Sequence, residues 1–101
     1  MAAMIPLEEV IELTHAFQQS EIGKDQTISA VFEKNIVEQI LNQDGCEGIR
    51  IYNALNEEGK ITFVLVGYDK EEKDMTDGFI SDRGRLCPPK CTKEKSPLNS
   101  I

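Results

Sequence analysis

The chain has no tryptophan, one histidine (His15), four prolines and three cysteines in 101 residues. A single histidine leaves little for acid–base chemistry near neutral pH, and no Ser/His/Asp or Cys/His arrangement stands out in the sequence. A glycine-rich phosphate loop is missing as well. No run approaches the roughly 18 consecutive apolar residues a membrane helix needs. The longest apolar stretch, Ile61–Gly67, is broken by Thr62. The opening residues Met1 to Glu9 have neither the basic start nor the long apolar segment of a secretion signal. The expectation is a cytoplasmic protein with no membrane contact. Basic residues are scarce, with 11 Lys and Arg against 18 Asp and Glu, a net charge of −7. That balance argues against nucleic acid, because a phosphate backbone rewards Lys and Arg.

The charge is unevenly placed. Residues 1–82 carry 6 basic and 17 acidic side chains, giving −11. Beyond them Arg83, Arg85, Lys90, Lys93 and Lys95 face only Glu94, giving +4. Plain solvation of both regions explains this; docking of the basic tail on the acidic body, or on an acidic partner, is the alternative. The length allows one small domain, and 40% hydrophobic residues suffice for one core.

Periodicity predicts a first helix over about Pro6–Gln19. Proline suits a first helical position, and Glu8 and Glu9 favour the positive helix start. Leu7, Val10, Ile11, Thr14 and Phe17 share one face. After a polar connector around Gly23, a second helix is expected, capped by Thr27 or Ser29 and running to about Gln43. Phe32, Ile36 and Ile40 recur every four residues, and Asp44-Gly45 ends the pattern. Period two then takes over. Ile49, Ile51, Asn53 and Leu55 alternate with Arg50, Tyr52 and Ala54, as in a half-buried strand. Asn56 to Lys60 has the length of a hairpin turn, and Ile61–Tyr68 is apolar on both faces, as in a central strand. Asp69 to Asp74 reads as a solvated loop and Gly78-Phe79-Ile80 as a short third strand. The fold class is therefore α+β: two N-terminal helices on a small antiparallel sheet, built from a β-hairpin plus a short third strand. Residues 1–91 form the single domain, and 92–101 are expected to be a flexible, disordered tail.

Few residues invite chemistry. Cys87-Pro88-Pro89-Lys90-Cys91, with Cys46 upstream, admits three readings. The sulfurs could hold zinc, with His15 as a fourth ligand, although the spacing is not that of a zinc knuckle. The tail pair could be redox-active beside Lys90 and Arg85, although the spacing is not thioredoxin-like and prolines stiffen the segment. Or Cys46 is a small buried residue and the tail cysteines are structural, with a disulfide to Cys46 among the options. The residues favour this last reading. Asp74-Met75-Thr76-Asp77-Gly78 lacks the alternating acids and distal Glu of a calcium loop. Arg50 and Tyr52 share the face of the first strand turned from the core, where they would serve as interface anchors. Alternatively, the Arg50 stem simply covers Tyr52, or the helices pack on that side.

Three stretches carry a resemblance: Gly45-Cys46-Glu47-Gly48-Ile49-Arg50-Ile51-Tyr52, Val64 to Asp69, and Cys87 to Cys91. Across roughly residues 30 to 91 the chain resembles an uncharacterised family of small bacterial proteins with no assigned activity. The resemblance implies that the Cys-Pro-Pro-x-Cys ending forms one unit with the hairpin, bringing the tail cysteines nearer Cys46. It implies no catalytic residue.

The expectation is thus a non-enzymatic protein-interaction module that binds a protein partner or itself, with Arg50 and Tyr52 at the interface. The alternative is a thiol- or zinc-dependent domain using Cys46, Cys87 and Cys91. An ordinary enzyme ranks behind both.

Overall fold

The computed structural model describes residues 2–82, 84–92 and 94–100. In chain order the elements are α1 (Leu7–Gln19), β1 (Ser29–Val31), α2 (Lys34–Leu41), β2 (Gly48–Leu55), β3 (Ile61–Tyr68), β4 (Ile80–Ser81) and β5 (Arg85–Cys87). They form two antiparallel sheets, β2-β3-β4 and β1-β5, so the molecule is α+β.

The hairpin of β2 and β3 is the centre. Its register runs from Gly48↔Tyr68 to Leu55↔Ile61. The turn closes because Asn56 Oδ1 accepts from Glu58 N at 2.9 Å and Lys60 N at 3.0 Å. Such a side-chain-to-backbone turn is typical of asparagine, and Gly59 supplies the left-handed position at φ 75°. The third strand lies slightly later than expected, with Ile80 opposite Val66 and Ser81 opposite Leu65.

The second helix is the main correction. Ser29, expected as a helix cap, opens a strand instead, and Ser29–Val31 pairs with Arg85–Cys87. Ile28, Val31 and Phe32 are β-branched or aromatic residues that suit a strand, and a second strand was available to pair with them. The strand over Arg85–Cys87 had no signal in its composition. Phe32 lies outside α2, close under Gly84, where an added Cβ would come within 2.6 Å of its ring. The helix starts at Lys34, with Glu33 as a cap that makes no side-chain hydrogen bond.

Even and odd residues of β2 face opposite sides. A Cβ added to Gly67, opposite Ile49, would meet Cys46 Sγ at 2.9 Å and Ile40 Cγ2 at 3.4 Å. The odd side is therefore the one α2 covers, and Ile40, 1% exposed, is its anchor. With eight residues α2 reaches only the Gly67 end. Ile49 is half-buried, whereas Ile51 and Leu55 are 62% and 70% exposed. The half-buried strand expected from the alternation is thus covered at one end and open at the other.

Pro6 caps α1 one residue before its expected helical position, its carbonyl accepting from Glu9 N and Val10 N. The only buried residue of α1 is polar. Gln18 donates to Leu98 O (2.9 Å) and accepts from Ser100 N (2.7 Å). Leu7, Leu13 and Phe17 remain exposed. A cavity of about 310 Å³, bordered by Leu13, Phe17, Ile28, Ile61 and Phe63, separates α1 from the sheet. Within the segment expected to be disordered, residues 94–100 thus reach α1 through neutral hydrogen bonds. Met1, Arg83, Lys93 and Ile101, to which the charge and tail readings also apply, lie outside the described residues.

Ile40, Leu65, Val66 and Cys87 are the buried large apolar residues among those described. With so few, each should matter. Ile40→Ala is expected to lower the unfolding free energy by about 2–5 kcal/mol, as other large-to-small core changes do. Urea denaturation should show a lower midpoint with an unchanged slope; a loss below about 1 kcal/mol would place the core elsewhere.

Candidate functional site

Two features of β2 make it the candidate site: a polar cluster on its even side and an unpaired edge. On the even side Arg50 lies opposite Val66 and Tyr52 opposite Val64. Both side chains converge on Asp74, the Arg50 guanidinium on Oδ1 and the Tyr52 hydroxyl on Oδ2. The loop after β3 brings the carboxylate there. Asp69 Oδ1 accepts from Glu71 N and Lys73 N, and Tyr68 and Asp74 form a bridge. Glu72, held at φ 66°, a region non-glycine residues seldom occupy, also accepts from Arg50 through its carbonyl at 3.2 Å. The guanidinium stands 5.4 Å from the Tyr68 ring centroid, a cation–π distance. That ring lies over Gly48, where any side chain would collide with it: an added Cβ would come 2.7 Å from the ring.

The cluster is electrostatically consistent. The Tyr52 hydrogen bond, joined by Arg50, holds the Asp74 carboxyl below its usual range. The same bond to Asp74 pushes the Tyr52 phenol upward, and Asp74 raises Arg50. Hydrogen bonds to the charged carboxylate account for all three directions. Tyr52 is nevertheless 46% exposed, so the cluster fixes an aromatic side chain without covering it.

The edge follows from the ladder. Ile61 N donates to Gln26 Oε1 and Gly67 O accepts from Met75 N, both at 2.8 Å and both away from β2. Residue pairs Leu55↔Ile61 and Ile49↔Gly67 are therefore of the non-hydrogen-bonded kind. By the same alternation Ile49, Ile51, Asn53 and Leu55 turn their N–H and C=O groups outward. Among the described residues β2 has β3 as its one strand neighbour, so this edge is open.

The cysteines divide into a bonded pair and a free thiol. Cys87 and Cys91 are bonded to each other, with Cα atoms 4.6 Å apart. Lys90 N donates to Leu86 O and turns the chain between the two cysteines, and both X-Pro bonds there are cis. Cys46 is free, donating to Gly48 O at 3.3 Å beside Gly67. The nearness of Cys46 to the tail pair implied by the family resemblance would place three sulfurs in one cluster. Among the described residues no group of three or more His, Cys, Asp or Glu is placed to hold a metal. His15 Nε2 donates to Pro97 O at 3.0 Å.

No family model, curated protein or solved structure matches the chain. Its function must be argued from its own residues. Arg50 and Tyr52 were legible in the sequence as a pair. Asp74 and Tyr68 were not, because Asp74 is one acid in a charged run and nothing local marks it as a partner of β2. No helix among the described residues is long and apolar enough to cross a membrane.

The cluster has a pH signature. In the folded chain Asp74 titrates below the value of an unfolded aspartate, about 3.9. Its stabilisation is therefore fully present above that value and lost as pH falls through the lower folded value. Wild type should lose stability more steeply than Asp74→Asn below about pH 4, the two curves drawing together in stronger acid. Parallel urea-denaturation curves across this range would show the cluster to be energetically idle.

Proposed function

We propose that this chain is a non-enzymatic protein-interaction module of the cytoplasm, binding a protein partner or a second copy of itself through β2. The observation that carries the reading is the open edge of an eight-residue strand that also leaves Ile51 and Leu55 exposed. Sheet proteins usually protect such an edge with a proline, a lysine, a bulge or a covering element. Between Ile49 and Leu55 there is no proline or lysine, and the one charge, Arg50, is held on the even side by Asp74. Covering two large aliphatic side chains contributes about 3–6 kcal/mol in total. The backbone pairs of an added strand contribute roughly 1 kcal/mol each. Together these are of the size needed to offset the lost freedom of association, about 4–15 kcal/mol.

A thiol-dependent reading is favoured by one observation, the bond between Cys87 and Cys91. It makes partner binding depend on the state of that pair.

A photo-crosslinking residue placed at Ile51 or Leu55 in cells tests both. Discrete protein adducts are expected from these positions and none from Lys70, an exposed loop residue. A chain that gives no adduct at either position is not an interaction module of this kind. Adducts that vanish on treatment with a reductant would move the choice to the thiol-dependent form.

A further inference from the structure

We propose that the partner is a second copy of this chain, its β2 paired antiparallel with this one about a two-fold axis at Tyr52. The proposal rests on the interaction reading above and specifies it. An antiparallel ladder joins residues of the same outward class, so a two-fold pairing at this edge must place odd residues opposite odd residues. Centred on Tyr52, it sets Ile49 opposite the partner's Leu55 and Ile51 opposite the partner's Asn53. This register runs from Ile49 to Leu55 and so uses the strand almost end to end. Centring on Asn53 would shorten it. Centring on Ile51 would draw in Glu47, whose N–H is already given to Tyr68 O.

The side chains agree with that register. On one side Ile49 meets the partner's Leu55, an apolar pair. On the other, Arg50 meets the partner's Ala54, and Tyr52 meets the partner's Tyr52. Two molecules each carrying −7 repel one another overall. The seven paired residues nevertheless carry only Arg50 on each copy, tied to its own Asp74 and set away from its symmetry mate. Asp74 also holds Tyr52 in place before association, so the central aromatic pair loses little freedom when it forms. The three-stranded sheet becomes a six-stranded one with both copies of β2 at its centre.

The register makes a sharp geometric demand. Even pairs across the new ladder are non-hydrogen-bonded, with Cα atoms about 4.5 Å apart, within the range a disulfide spans. In a Cys46→Ser background, Tyr52→Cys should form a dimer-linking disulfide at least tenfold faster than Ile51→Cys, whose symmetry mate lies diagonally across. Sedimentation of the untouched wild type should give twice the 11.3 kDa chain mass. Asn53→Pro removes an outward N–H and no ladder bond to β3. It should stay folded by circular dichroism and raise the dimer dissociation constant at least tenfold. A wild-type dimer that links faster through Ile51→Cys, or that Asn53→Pro leaves intact, overturns the proposal. A strict monomer overturns it too. If Ile51 still gives adducts with other proteins, the interaction reading survives; if it gives none, both fall.

Discussion

The ladder from Gly48↔Tyr68 to Leu55↔Ile61 sets the side on which everything else in the molecule lies. A strand's side chains alternate with a period of two, so a slip of one residue would exchange its faces. Held in this register, Gly67 faces Ile40 and Cys46, while Arg50, Tyr52 and Tyr68 face Asp74. The hinge residues of the register are local. Asn56 and Gly59 close one end, and the Tyr68 ring over Gly48 closes the other.

From that register follows an uneven covering. The eight residues of α2 meet the ladder near Gly67 and leave the Leu55 end bare, while a cavity lies between α1 and Ile61 and Phe63. The shortfall is physical. The residues from Ser29 to Val31, which could have lengthened α2 by a turn, are spent on pairing with Arg85–Cys87. Helix propensity is a weak prior, and a tertiary strand partner overrides it.

The polar cluster shows how a modest set of contacts can prepare a surface. Arg50 and Asp74 are both partly open to solvent, and ion pairs of that kind add little to stability. Their effect lies in placement. Asp74 holds Arg50 and Tyr52 in one geometry, with Glu72 in an uncommon backbone conformation to complete it. Tyr52 is thereby a fixed, half-exposed aromatic at the middle of an open strand.

Much of the hairpin was legible in the residues themselves. The period-two run from Ile49, the Asn56-to-Gly59 turn and the two-sided apolar strand are local patterns, because alternation and turn chemistry act over a few residues. The first helix and the pairing of Arg50 with Tyr52 on one face were legible for the same reason. Tertiary structure alone decided which long-range partners meet. It drew Ser29–Val31 into a strand with Arg85–Cys87, carried Asp74 to Tyr52, and bonded Cys87 to Cys91 rather than to Cys46. It also decided that α2 would stop short, leaving Ile51 and Leu55 in water. These outcomes depend on residues far apart in the chain competing for the same neighbour, and no local pattern records the result of that competition.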